Sequence, residues 1–177
     1  DSVGVYGQLS GAWFLSNTNT SGVGQIDFNY GQGGRGYIAI TGDWDGDGLD
    51  TPGLYDPVTG TFFLRDSSSP GPADNSFVFG AGGRTYLPVA GDWDGDGTDT
   101  IGLYNPTTGS FFLKNTNSGG SADLTFVFGV GGAGWIPIAG DWDGDGTATI
   151  GLYAPLDGAF FLKNTNASGP ADLVFNF

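Results

Sequence analysis

Gly42-Asp43-Trp44-Asp45-Gly46-Asp47-Gly48 stands three times in this chain, returning at Gly91 to Gly97 and again at Gly140 to Gly146. Each return comes 49 residues after the last, with no insertion. A fixed period of this length marks a repeat architecture in which each unit is one supersecondary element stacked on its neighbours. A second marker keeps the same step: Gly4-Val5-Tyr6, Gly53-Leu54-Tyr55, Gly102-Leu103-Tyr104 and Gly151-Leu152-Tyr153. The 177 residues therefore hold four copies of the Gly-Leu-Tyr marker and three of the Asp-rich one, and the chain is out of phase with its own repeat.

Within one period, four short apolar stretches are separated by Gly, Pro and Asp, and the spacing predicts strands over Thr85 to Ala90, Thr98 to Tyr104, Ser110 to Lys114 and Ala122 to Phe128. The fourth alternates, placing Phe126 and Phe128 on one face, as it does Phe77 and Phe79, Phe175 and Phe177, and Phe28 and Tyr30. The third does not: Phe111-Phe112-Leu113, like Phe62-Phe63-Leu64 and Phe160-Phe161-Leu162, is apolar on both faces and has to be covered on both. Asn105-Pro106-Thr107-Thr108-Gly109 reads as the hairpin between strands two and three, with Pro setting φ and Gly closing the turn. Asp56 to Gly60 and Ala154 to Gly158 repeat it. Four-stranded units of this size, each sandwiched between neighbours, predict a single all-β β-propeller domain over residues 1–177. Its blades are expected at 1–31, 36–80, 85–129 and 134–177, the first lacking its first strand. An open segment of a larger propeller and a β-solenoid are the alternatives.

Composition narrows the function. The chain has 35 Gly, 19 acidic residues that are all Asp, 5 basic residues and a formal net charge of −14, with no His, Cys or Met. Without a basic cluster it has no means of displacing counterions from phosphates, so nucleic acid and anionic membranes are not expected partners. No apolar run is long enough for a membrane helix, and the sequence opens without an initiator Met or a signal segment, which reads as a soluble, mature or excised piece. Missing His and Cys remove the usual zinc ligands, the thiol nucleophile and the imidazole base of a triad. No Glu and no low-symmetry constellation marks a catalytic carboxylate pair, so the chain is not expected to be an enzyme.

The Asp loops point to a cation. Asp43, Asp45 and Asp47 occupy positions 1, 3 and 5 of a tight loop whose sixth residue is Gly, and hard oxygen ligands in that order suit Ca²⁺ better than the smaller octahedral Mg²⁺. Asp92, Asp94 and Asp96, then Asp141, Asp143 and Asp145, repeat the arrangement, giving about three ions per chain. Three carboxylates held this close repel one another strongly unless a cation lies between them.

Together the order Phe128-Gly129, a strand ending near Pro137-Ile138-Ala139-Gly140, Asp141-Trp142-Asp143-Gly144-Asp145-Gly146 and Gly151-Leu152-Tyr153 resembles the FG-GAP or VCBS repeat, the calcium-binding propeller repeat of integrin α-subunits. The resemblance covers essentially the whole chain. It implies a propeller with calcium in the loop joining the first and second strands of a blade, and it marks the nine Asp residues above as side-chain ligands. Leu49, Thr98 and Thr147 are then the backbone-carbonyl ligands. The family commonly has Asp at the ninth loop position, where this chain has Thr51, Thr100 and Thr149. Asp50 and Asp99 stand one residue earlier, Ala148 takes that place in the third loop, and the third site is expected to be the weakest.

Several smaller features carry expectations of their own. Trp44, Trp93 and Trp142 are read as packing against the adjacent blade, with a sugar-stacking platform as the alternative. Lys114 and Lys163 are read as solvated, and Asp27, Asp74, Asp123 and Asp172 as turn-forming residues before the fourth strand. Asn19-Thr20-Ser21 and Asn166-Ala167-Ser168 match the glycosylation sequon, and Asn/Thr/Ser/Gly-rich tips read as exposed loops. The expected function is a non-catalytic, calcium-binding extracellular or cell-surface module for adhesion or for binding glycans or another protein. The alternative is a structural subunit forming a homo-oligomer or filament through its incomplete blade, whose bare strand edge near Val3 to Tyr6 is a pairing template.

Overall fold

The computed structural model describes residues 3–83 and 85–177. Asp1 and Ser2, the start of the expected first blade, lie outside the described residues. Among the described residues fifteen strands form four antiparallel sheets, each a meander of strands consecutive in sequence. The first sheet holds β1 (Gly4–Gly7), β2 (Ala12–Leu15) and β3 (Ile26–Asn29). The second holds β4 (Ile38–Gly42), β5 (Thr51–Asp56), β6 (Thr61–Leu64) and β7 (Asn75–Val78). In the third are β8 (Leu87–Gly91), β9 (Thr100–Asn105), β10 (Ser110–Leu113) and β11 (Leu124–Val127), and in the fourth β12 (Ile136–Gly140), β13 (Thr149–Ala154), β14 (Ala159–Leu162) and β15 (Leu173–Asn176). This is a four-blade β-propeller with a three-stranded first blade. A solenoid would pair equivalent strands of successive repeats in one sheet, whereas here each repeat pairs only within itself, in a register that recurs: Ile38↔Tyr55, Leu87↔Tyr104 and Ile136↔Tyr153.

What stacks the blades is the apolar content of both sheet faces. Innermost strand β4 packs on β8, and β8 on β12. Three cores fill the spaces between blades: Trp13, Phe28, Tyr37 and Leu54 join the first to the second, Tyr55, Phe62, Phe79 and Leu103 the second to the third, and Tyr104, Phe111, Phe128 and Leu152 the third to the fourth. Alternation along the second strand divides the work. Leu103 faces the preceding blade while Tyr104 faces the following one, ring to ring with Phe111 at 4.6 Å. The doubly apolar third strand behaves as its sequence requires, with Phe62 and Phe111 fully buried and Phe63 and Phe112 half-buried against Tyr37 and Tyr86 of the interface behind. No such core joins the fourth blade to the first among the described residues. Val5 and Phe14 at one end, and Phe175 and Phe177 at the other, are accordingly exposed.

The cations depart from the sequence expectation. Lys114 and Lys163 are buried, as is Arg65 at the same place in the second blade. Each lies under the loop joining strands three and four. The Lys114 ammonium donates to the Ser121 carbonyl at 3.1 Å and pairs with Asp123 at 3.3 Å, while Lys163 donates to Pro170 at 3.0 Å and pairs with Asp172 at 3.2 Å. Arg65 donates to the Pro72 carbonyl and to Ser67 and Ser69, and lies 3.7 Å from Asp74. A long alkyl stem buried along the sheet with its charge held by carbonyls and one carboxylate is a peg, not a solvated side chain. The same carboxylates cap the loop, accepting the N–H groups of Asp66, Asn115 and Asn164. Asp27 is not their counterpart: it lies within β3, and Gln25 fills the role in the first blade by accepting the N–H of Asn17.

These pegs predict the acid limb of the stability curve. The Asn115 amide first, and then the Lys114 ammonium, hold the Asp123 carboxyl below the usual carboxylate range, and Asn164 and Lys163 do the same for Asp172. A depressed folded value means that the stabilisation is present above the unfolded carboxyl pKa of about 3.9 and is lost as pH falls through the folded value. Urea midpoints measured between pH 6 and pH 2 are expected to fall less steeply for an Asp123→Asn/Asp172→Asn variant than for the parent chain.

Candidate metal centres

The three Asp loops connect the first and second strands of the second, third and fourth blades. Their shape comes from glycine and from one carboxylate. Gly46 and Gly48 have φ of 77° and 87°, and Gly95 and Gly97, then Gly144 and Gly146, repeat those left-handed values within a few degrees, a conformation that costs other residues about 1–2 kcal/mol. The turn they create aims successive N–H groups at the first Asp. Oδ1 of Asp43 accepts from Gly46 at 2.8 Å and from Asp47 at 3.0 Å, while Oδ2 accepts from Gly48 at 2.7 Å. Asp92 and Asp141 hold their loops by the same three bonds. Amide donors, that of Gly146 foremost, keep the Asp141 carboxyl below its ordinary range. Asp47, Asp96 and Asp145 then accept the N–H groups of Leu49, Thr98 and Thr147, closing each loop at its seventh position.

This arrangement brings the predicted side-chain ligands together. In each loop, one carboxylate oxygen from each of the three Asp residues lies within 4.8 Å of the others. Each carboxylate, taken as a whole, keeps lone-pair capacity beyond what its amide bonds use. Among the described residues no Lys or Arg pairs with any of the nine carboxylates; the three ion pairs all lie at the pegs. Three unneutralised hard-oxygen groups on a preset loop fit a divalent cation, and the absence of nitrogen and sulfur ligands favours Ca²⁺ or Mg²⁺ over a transition metal.

Residues eight and nine have other roles. The hydroxyls of Thr51, Thr100 and Thr149 donate at 2.6–2.7 Å to the carbonyls of Arg65, Lys114 and Lys163, so they lock the second strand onto the third and turn away from the loop. Residue eight reaches across to the preceding blade. Asp99 N–H donates to the Asp43 carbonyl at 2.7 Å, and its carboxylate accepts the Asp43 N–H at 3.0 Å. Ala148 N–H likewise donates to the Asp92 carbonyl at 2.7 Å, but its methyl offers no acceptor in return. The Asp/Ala difference therefore belongs to the neighbouring loop: what Ala148 removes is a carboxylate beside Asp92, not a ligand of its own site. Asp50 is exposed, because its blade is preceded by the three-stranded one that lacks an Asp loop.

Nearby residues are occupied in other ways, by burial or by bonds within the fold. Trp44 and Trp93 are buried between blades, and the Trp44 indole donates to the Thr51 carbonyl at 3.1 Å, so neither ring is available to stack on a sugar. Trp142 makes the same bond to Thr149 and is only half-buried. Asn166, read from sequence as a glycosylation acceptor, donates its amide to the Ala148 carbonyl at 3.0 Å and accepts the Ile150 N–H at 3.2 Å. Nothing in a sequon distinguishes such an internal bracket from a free loop Asn. No family model matches the chain, and no curated protein matches it.

The cross-blade bond predicts a separable effect. Removing the Asp99 carboxylate leaves the Asp43 amide without its partner, and bonds of this charged type contribute about 1.5–3 kcal/mol, here offset in part because burial already pushes the Asp99 carboxyl up. Asp99→Ala is expected to destabilise the chain by about 1 kcal/mol in urea titrations, whereas Asp50→Ala, with no loop to hold, is expected to be neutral.

Proposed function

We propose that the chain is a calcium-stabilised, non-catalytic binding module of the FG-GAP or VCBS type, working outside the cell or at its surface. The observation that carries this reading is the threefold Asp loop, with three carboxylates converging on one point and, among the described residues, no Lys or Arg paired with them. A flexible, oxygen-only set suits Ca²⁺, while Mg²⁺ demands stricter octahedral geometry and retains its water. An affinity at the weak end of the protein range, about 10⁻⁴–10⁻³ M as in extracellular modules, would suit that setting. Absence of His, Cys and Glu supports a role without catalysis. Protein or glycan partners would meet the polar tips between strands three and four, since Trp44 and Trp93 are out of reach.

Calcium would act on the fold through blade stacking. Each loop joins the two inner strands of its blade, and two of the three accept a hydrogen bond from the next blade, so an ion that stiffens a loop also stiffens an interface. A ligand bound only by the folded state adds about 2.7 kcal/mol per site at a free concentration one hundred times Kd. The melting temperature is expected to rise with added Ca²⁺, to fall with EDTA, and to respond far less to Mg²⁺. An unchanged melting temperature in EDTA would remove the proposal.

A second reading, a self-assembling structural subunit, is favoured by one feature: both end blades expose apolar side chains, Val5 and Phe14 on the first and Phe175 and Phe177 on the last. Those faces are the counterparts of surfaces that the internal blades bury against each other. Solution mass measured over a wide concentration range separates the readings, because only the structural subunit is expected to grow with concentration.

A further inference from the structure

The first blade carries an open slot at its inner edge. Strand β1 is exposed along its first half, whereas its counterparts β5, β9 and β13 are buried almost throughout: Val5 faces the side that no blade covers, and among the described residues β1 has no inner strand beside it. In its place lies a groove of about 620 Å³. One wall is the edge of β1 at Gly4 and Tyr6, another is the face of β4 at Ile40 and Thr41, and the floor near the Asp loop is formed by Asp50 and Pro52.

We infer that this groove is a strand-acceptor site. Its ligand is an extended segment carrying the repeat's first-strand sequence: apolar, small or Pro, β-branched apolar, small, Gly, Asp, Trp. The chain itself supplies three worked copies of the occupied slot. Strands β4, β8 and β12 each pair antiparallel with the second strand of their blade over five residues, and each packs on a neighbouring inner strand. A strand bound at β1 continues that row by packing on β4. A folded second copy has no strand to lend, because its inner strands are already paired in their own sheets.

Register follows from the ladder. Pro88 and Pro137 sit at the second position of the inner strand and have no N–H, so that position faces away from the partner strand, and the first and third positions carry the hydrogen bonds. In β1 the Val3 carbonyl is turned towards the second strand, where it accepts the Ser16 N–H, which leaves the Gly4 and Tyr6 backbone groups facing the groove. The incoming first residue therefore pairs with Tyr6 and the third with Gly4, as Ile38 pairs with Tyr55 and Ile40 with Gly53.

Two side-chain features give specificity beyond the backbone ladder of ordinary β-augmentation. Trp44 packs in one core with Ile101, whose counterpart 49 residues earlier is Pro52 on the groove wall, so the incoming Trp has a matching surface. Asp50 is the counterpart of Asp99. Where the Asp99 carboxylate accepts the Asp43 N–H of the preceding blade, the exposed Asp50 carboxylate is placed to accept the N–H of the incoming Asp. Gly is required before that Asp, since a Cβ on Gly42 would stand 3.0 Å from the Cβ of Asp99.

The test uses the whole chain and a fluorescent peptide copying Tyr37 to Trp44. Saturable one-to-one binding by anisotropy is expected, together with new hydrogen-exchange protection at the Gly4 and Tyr6 amides and no change at Val5. A peptide with Ala39→Pro is expected to bind, as Pro88 and Pro137 do in place, while Ile40→Pro abolishes binding. Asp50→Ala in the protein is expected to weaken the peptide about tenfold, the worth of one charge-assisted hydrogen bond. No saturable binding, or equal binding of the two proline peptides, overturns the inference. Self-association of the chain that the peptide displaces would assign the groove to a second copy and overturn it equally.

Discussion

A four-stranded sheet with aromatic side chains on both faces cannot keep them from water by itself, and the rest of this structure follows from that constraint. Phe111 and Phe112 are adjacent in one strand and must be covered from opposite sides, so the third blade needs a neighbour in front and behind. Burying such a side chain is worth about 1.5–3 kcal/mol, and the repeat supplies several at every interface. Blade spacing is set by how closely the sheets can approach. Gly80 and Gly129 allow the limit: a Cβ on either would lie 2.4–2.5 Å from a methyl of Leu103 or Leu152 in the next blade.

Stacking in this way converts a one-dimensional repeat into two kinds of position. Internal blades have both faces closed, and end blades have one closed and one open. The same Phe at the same place in the fourth strand is buried as Phe126 and exposed as Phe175, with no change in its local sequence pattern. Charge follows the same logic. The cations at Arg65, Lys114 and Lys163 can be buried because each finds a carbonyl and a carboxylate under its own loop, whereas in the first blade the neutral Ser16 stands in the cation's place, donating to the Thr18 carbonyl, and Gln25 in the carboxylate's.

The Asp loops sit where these constraints meet. They lie between the two inner strands of the second, third and fourth blades, on backbone that only glycine adopts cheaply, and in two of the three the first residue bonds to the next blade. Holding a carboxylate in place with three amides leaves the loop organised while its negative charge stays uncompensated. Metal affinity and blade docking would therefore be coupled through shared backbone, a coupling that an acidic surface loop elsewhere on the sheet would lack.

The 49-residue period, the alternation of the fourth strand and the double-sided third strand determined the blade, its strand count and the grouping of the nine Asp residues, because each depends on local periodicity and on turns made within one unit. What crosses from one unit to the next was decided by the tertiary structure. Asp99 and Ala148 look like members of their own loops, yet their bonds go to Asp43 and Asp92, and no spacing within a loop reveals a partner 56 residues away. Lys114 looks solvated because its neighbours in sequence are polar, yet packing covers its stem and the loop above supplies its acceptors. Thr51, Thr100 and Thr149 stand at a loop position but turn their hydroxyls to the third strand, since the fold of the sheet brings an open carbonyl there. Local sequence fixes dihedral preference and face, whereas the partner of a polar group is fixed only when sheets meet and water is excluded.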